Sequence, residues 1–124
     1  MLTKKILIVD DETDLVDILK HRLERAAYEV LTAYDGEEAM RIAQDQKPDL
    51  ILLDIIMPRV DGHTVLRLLR ADDGYSQVKI VMVTACSDED NRALALKNGA
   101  NAYISKPVEL QGLCGKIEEI FSEG

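Results

Sequence analysis

Three stretches of this chain, Ile6 to Val9, Leu50 to Leu53 and Ile80 to Val83, are unbroken runs of four apolar residues. A strand with one face in water alternates apolar and polar side chains. A short continuous run is what a strand looks like when both faces are covered, as in a parallel sheet packed between layers of helices. Val30 to Ala33 reads as a further strand, and Ala102 to Ile104 as a weaker fifth.

Between these runs the apolar residues recur at spacings of three and four: Leu15, Ile18, Leu19 and Leu23, then Ala39, Met40 and Ala43, then Val65, Leu66 and Leu69. Each set is expected on one face of a helix. A fourth helix is expected from an N-cap at Ser87 or Asp88 to Asn98, with Gly99 free to take the left-handed position that ends it. The last should begin near Val108 and bury Leu110, Leu113, Ile117, Ile120 and Phe121. No Pro/Gly/Ser-rich linker interrupts the alternation, and 124 residues suffice for one core without metal or disulfide staples. Residues 1–124 therefore read as one α/β domain, a doubly wound (βα)5 unit with a five-stranded parallel sheet. The common strand order for such a unit, 2-1-3-4-5 as in flavodoxin-like folds, is a fold-level expectation. It places ligands at the carboxyl edge, where strands 1 and 3 diverge.

The formal charge of −8 argues against a nucleic-acid surface on this domain, because phosphate backbones are held by clustered Lys and Arg. Any control of transcription would then fall to another domain or partner. No stretch approaches the roughly 20 consecutive apolar residues of a membrane span, and the start MLTKKILIVDD lacks the apolar core of a signal peptide. A cytoplasmic setting is the expectation. Cys86 and Cys114 lack the spacing of a metal or dithiol pair and read as packed or semi-buried thiols. His21 and His63 read as surface residues.

Chemistry concentrates at the strand ends. Strand 1 ends in Asp10 and Asp11, strand 3 in Asp54, strand 4 in Thr84, and strand 5 leads into Lys106 and Pro107. In the 2-1-3-4-5 order these ends are neighbours. Three carboxylates brought together repel, so one pKa must rise unless a cation neutralises them. Mg²⁺ suits such a site, since it binds through one or two carboxylates and completes its shell with water and a phosphate oxygen. Mn²⁺ offers a substitute. A carboxylate also serves as a nucleophile toward phosphorus. Asp54, at the end of a buried central strand, is the candidate nucleophile, and Asp10 with Asp11 the candidate ion holders. Lys106 and Thr84 are placed to stabilise charge on a transferring group. Taken singly, an Asp after a strand is often only a turn former, and a Thr there often reflects β propensity.

The segments Ile6-Leu7-Ile8-Val9-Asp10-Asp11-Glu12, Asp49 through Asp54 to Met57-Pro58 followed by Asp61-Gly62, Val83-Thr84-Ala85, and Gly99-Ala100 through Tyr103 to Lys106-Pro107 together resemble the response-regulator receiver family. The resemblance covers nearly the whole chain, with its landmarks in order. It implies a phosphoacceptor at Asp54 and metal ligation by Asp11 and Asp54 directly, by Asp10 through water and by the backbone carbonyl of Ile56. It implies that Thr84 and Lys106 bind phosphoryl oxygens, that the Lys106-Pro107 bond is cis, and that Tyr103 follows Thr84 as a switch toward the face of helix 4, strand 5 and helix 5. The implied donor is a phosphohistidine on a sensor histidine kinase or phosphotransfer protein, and the implied result is altered binding to an output domain or target. The implied domain acts on no outside substrate.

Two features set this chain apart within the resemblance. Ile56 is apolar where many family members carry a polar side chain that orders a hydrolytic water. Helices 4 and 5 show no clear run of cross-subunit charge pairs, which leaves a phosphorylation-dependent homodimer open. The chain ends soon after helix 5, so a stand-alone regulator and the amino-terminal piece of a longer one are equally compatible. Three other readings compete. A haloacid-dehalogenase-type phosphatase would show Asp-x-Asp where this chain has Asp10-Asp11-Glu12. A flavodoxin-like FMN carrier would need a phosphate loop that these acids oppose. A receiver fold serving only as an interaction module would have lost the reactive set.

Overall fold

The computed structural model describes residues 3–75 and 77–123. Five strands, β1 (Lys5–Val9), β2 (Glu29–Ala33), β3 (Leu50–Leu53), β4 (Lys79–Thr84) and β5 (Ala102–Ser105), alternate with five helices. These are α1 (Thr13–Arg25), α2 (Gly36–Gln46), α3 (Gly62–Ala71), α4 (Glu89–Lys97) and α5 (Leu110–Ser122). All pairings are parallel, and the order is β2-β1-β3-β4-β5. The expected topology holds.

The continuous apolar runs explain the layering. Ile6, Leu7, Ile8, Leu50, Ile51, Leu52, Ile80 and Val81 are at most 1% exposed, because alternate residues of each strand enter cores on opposite sheet faces. Leu7, Ile51 and Ile80 pack with α2 and α3 residues such as Ala39 and Leu66. Ile6, Ile8, Leu52 and Val81 pack with Val16, Leu19 and Leu23 of α1 and Leu113, Ile117 and Ile120 of α5.

Three expectations are corrected. In α1 the buried stripe is Val16, Leu19 and Leu23, while Ile18 is 52% exposed. At about 100° per residue Ile18 points away from that stripe, and apolar character alone does not decide burial. Helix α5 starts two residues later than Val108, at Leu110, since Glu109 caps it by accepting a hydrogen bond from Gly112 N. Leu110 and Phe121 are only half-buried there.

His63 is the third correction, since it is buried rather than on the surface. It sits in the first turn of α3, and its ring meets α4 at Asn91, with Nε2 2.7 Å from Oδ1. The Asn91 amide is oriented by its donation to Asp88 Oδ1 at 2.9 Å, so its oxygen faces His63 and takes the hydrogen of Nε2. Helix α4 otherwise forms as expected, with Asp88 as N-cap and Gly99 at φ +103° beyond its end. Arg70 of α3 reaches across to that end, donating to Gly99 O, Tyr75 O and Asn101 Oδ1. Cys86 and Cys114 are free, half-buried thiols, as read from the sequence.

Candidate functional site

The strand order carries the carboxyl ends of β1, β3, β4 and β5 to one edge, and the backbone ladders run on into the functional residues. Asp10 N donates to Ala33 O at 3.1 Å, Asp54 N to Val9 O at 3.0 Å and Lys106 N to Thr84 O at 2.8 Å. These bonds hold the side chains on the rigid sheet rather than on free loops.

Lys106 is the centre of the site. Its Nζ lies 2.9 Å from Asp10 Oδ2 and 3.1 Å from Asp54 Oδ2, and it is paired with Glu12 Oε1. The other oxygens of the two aspartates take backbone N–H groups. Glu12 N donates to Asp10 Oδ1 at 2.9 Å, and Ile55 N to Asp54 Oδ1 at 2.7 Å, with Ile56 N more distant at 3.4 Å. Asp10 and Asp54 are buried. Burial pushes the Asp10 carboxyl above its ordinary range, against the Glu12 N–H and Lys106, and the nearby Asp54 charge adds to the rise. Burial also works against the Lys106 charge, but hydrogen bonds to Glu12, Asp10 and Asp54 outweigh it and hold the ammonium above the usual lysine range.

Asp10, Glu12 and Asp54 each present an oxygen within 4.8 Å of the other two. Asp11 stays outside this group and is exposed. Glu12 joins the group because its side chain reaches Lys106, and although it stands at the N-cap position of α1 its carboxylate makes no capping bond. In the sequence Glu12 is marked only by standing in the acidic run Asp10-Asp11-Glu12, which does not separate it from Asp11. Three clustered carboxylates suit a hard divalent cation.

Thr84 is fully buried, and its Oγ1 accepts from Cys86 N at 3.3 Å. The Tyr103 hydroxyl donates to the carbonyl of the same residue, Cys86. Burial raises the Tyr103 pKa, which keeps the hydroxyl protonated as that donor. The backbone of one residue, Cys86, thus joins Thr84 to Tyr103. Ile56 projects from the rim with 63% of its surface exposed. Behind the site, Gly62 N donates to Ile55 O at 2.8 Å, and a Cβ on Gly62 would stand 2.0 Å from Asp54 O. The glycine after Asp61 is therefore a close-approach residue of the loop that follows Asp54. The Lys106-Pro107 bond is cis.

Residues 6–118 match the family described as response regulator receiver domain. The chain belongs to that family. This receiver domain is 41% identical over 119 residues to the alkaline phosphatase synthesis transcriptional regulatory protein PhoP of Bacillus subtilis, a match covering 96% of this chain and 49% of that protein. It is 43% identical over 117 residues to the probable transcriptional regulator ycf27 of Cyanophora paradoxa, covering 94% of this chain and 48% of that one. The chain spans about half the length of these curated relatives. Among solved structures, a CheY-like response regulator receiver domain protein from Methanospirillum hungatei superposes with a TM-score of 0.93 at 35% identity, covering 98% of this chain and 96% of that one. The chemotaxis response regulator CheY4 of Vibrio cholerae gives 0.90 at 29% identity, covering 96% and 99%. The receiver domain thus belongs to two-component signalling, and the phosphatase and flavin-carrier readings give way to it. No helix among the described residues is long and apolar enough to cross a membrane.

Proposed function

We propose that this receiver domain takes a phosphoryl group onto Asp54 from a phosphohistidine on a sensor histidine kinase or phosphotransfer protein, and that residues 1–124 form one such unit. The observation that carries the reading is a buried Asp54 whose Oδ2 is paired with Lys106 Nζ at 3.1 Å, with Asp10 beside it. An Asp54 oxygen attacks phosphorus, the new O–P bond forms as the N–P bond to the donor imidazole breaks, and the imidazole leaves with the electron pair. Ile55 N–H holds Oδ1 and so limits rotation of the nucleophile. Lys106 is positioned to follow the negative charge from the carboxylate onto the phosphoryl oxygens, as a movable point charge does well.

Mg²⁺ fits the donor set, which is all oxygen and partly buried, and Mn²⁺ offers the same chemistry. The family resemblance implies that Asp11 and Asp54 would hold it directly, with Asp10 through water and the Ile56 carbonyl, while the cluster of Asp10, Glu12 and Asp54 offers a second set. Bound there, the ion offsets carboxylate repulsion and charge on the phosphoryl group. Lys106 now serves as the counter-cation to these carboxylates.

Signal output follows from the shared Cys86 backbone. A Thr84 hydroxyl that turns toward a phosphoryl oxygen releases Cys86 N, and the Tyr103 hydroxyl bound to Cys86 O responds. This alters the face formed by α4, β5 and α5, where an output domain, a target or a second copy of the chain would bind. The acidic charge assigns no nucleic-acid contact to this domain, and a cytoplasmic location belongs to the same reading. The domain catalyses only its own phosphorylation and dephosphorylation.

The test is intact-mass spectrometry after incubation with acetyl phosphate and Mg²⁺. One added phosphoryl group is expected, absent in Asp54→Ala. A wild type that gains no mass refutes the proposal. Calorimetric titration of Asp11→Ala with Mg²⁺ separates the two metal sets, since unchanged affinity would assign the ion to Asp10, Glu12 and Asp54 alone.

A further inference from the structure

Helix α4 is held by little packing. Of its described residues only Ala95 is buried, while Leu94 and Leu96 are exposed. An element with so few buried apolar groups is set in place by its tethers and moves when they change. Among the described residues, side-chain hydrogen bonds reach both of its ends from α3. At the amino end His63 Nε2 lies 2.7 Å from Asn91 Oδ1. Asn91 in turn gives its side-chain amide and its backbone N–H to Asp88, the N-cap, at 2.9 and 3.1 Å. At the carboxyl end Arg70 donates to Gly99 O and Asn101 Oδ1, both at 3.0 Å.

The start of α3 is fixed to the loop that follows Asp54. Gly62, its first residue, donates its N–H to Ile55 O at 2.8 Å, and a Cβ there would stand 2.0 Å from Asp54 O. His63 is the next residue. A displacement of the backbone just after Asp54 therefore passes into α3 with no slack, and His63 hands it to the first turn of α4.

His63 is a poor choice for stability alone. Its ring is buried, yet Nδ1 has no hydrogen-bond partner among the described residues. A leucine in the same place would leave no buried acceptor unpaired. An imidazole kept for a single bond to α4 calls for a role for that bond.

We infer that His63 is a positioning residue of the switch, coupling the first turn of α4 through α3 to the loop after Asp54. The inference rests on Asp54 being the phosphoacceptor. It gives α4 two inputs: Thr84 acts through the Cys86 backbone, and Asp54 acts through Gly62 and His63.

The test compares His63→Leu, which removes the donor and keeps an apolar side chain between the helices, with His63→Gln, whose amide N–H can replace that of Nε2. In the unphosphorylated ¹⁵N-labelled protein, amide exchange at residues 91–94 should be several-fold faster in His63→Leu and near the wild-type rate in His63→Gln. Ile51 and Val81, in the sheet, report global stability and should be unchanged. After acetyl phosphate and Mg²⁺, with one added phosphoryl group verified by intact mass, wild type and His63→Gln should show amide shifts at residues 91–94. His63→Leu should lose most of that response while Cys86 and Tyr103 still shift. Wild-type exchange in His63→Leu, acceleration shared equally by Ile51 and Val81, failure of His63→Gln to restore the rate, or an undiminished α4 response at equal mass gain would each overturn the inference. A wild type that gains no mass fails the acceptor reading and the coupling with it, whereas a mass gain with an unchanged α4 response in His63→Leu fails the coupling alone.

Discussion

Replacing Lys106 by Met keeps the aliphatic stem and deletes the charge. The ammonium is 12% exposed and stands 2.9 Å from Asp10 and 3.1 Å from Asp54, whose side chains are 4% and 6% exposed. Removing one partner of a buried ion pair costs about 3–5 kcal/mol, because the other charge is left uncompensated. Lys106→Met should lose that much in metal-free neutral buffer, read from urea unfolding at constant m.

The loss has a defined pH dependence. The folded-state pKa of Asp10 is raised, so the native protein binds more protons than the unfolded chain between the ordinary and the raised value. Stability falls as pH climbs through that window. Lys106→Met raises Asp10 further, widening the window, so its deficit should be small in acid and grow toward neutrality. The Lys106 pKa is itself raised, so its contribution is complete below the ordinary lysine value and is lost only in alkali. Millimolar Mg²⁺ should then stabilise the variant more than the wild type, since no ammonium competes for the same oxygens and binding to the native state adds stability logarithmically. A neutral-pH deficit below about 0.5 kcal/mol, the ordinary scatter of surface changes, or an equal Mg²⁺ response in both proteins, would refute the reasoning.

Gly115→Ala should raise thermal stability by about 0.4 to 1 kcal/mol, because a Cβ there meets nothing within 4 Å. Gly112→Ala should gain less, since its Cβ would stand 3.3 Å from Glu109 Oε2, the capping group; a fall in melting temperature for Gly115→Ala contradicts the helix-propensity argument. Gly62→Ala should destabilise by several kcal/mol and weaken Mg²⁺ binding, as its Cβ would overlap Asp54 O at 2.0 Å; calorimetry checks both. Ile56→Asn should shorten the lifetime of the phosphorylated form at fixed Mg²⁺, because an amide places a hydrolytic water that an exposed isoleucine does not. Equal or slower decay would instead make bulk-water access the controlling factor.

Residue order alone carried the class of fold, the five strands and the residues at their ends. Short unbroken apolar runs have few other uses than strands buried on two faces, and Asp54 and Thr84 follow such runs directly. Asp88 and Gly99 were legible at the ends of α4 because capping is a local matter of a few residues. What the sequence could not supply was the direction of side chains whose partners lie far along the chain. Glu12 and Asp11 are chemically alike neighbours, and only the return of Lys106, 94 residues later, draws Glu12 into the cleft. His63 looked like a surface residue until α4 brought Asn91 against it, 28 residues away. Ile18 looked buried until the sheet selected the stripe of Val16, Leu19 and Leu23 instead. Apolar periodicity and capping act within a few residues, so they can be read along the chain; charge pairing and the choice of helix face depend on what packing brings together, and only the tertiary structure decides them.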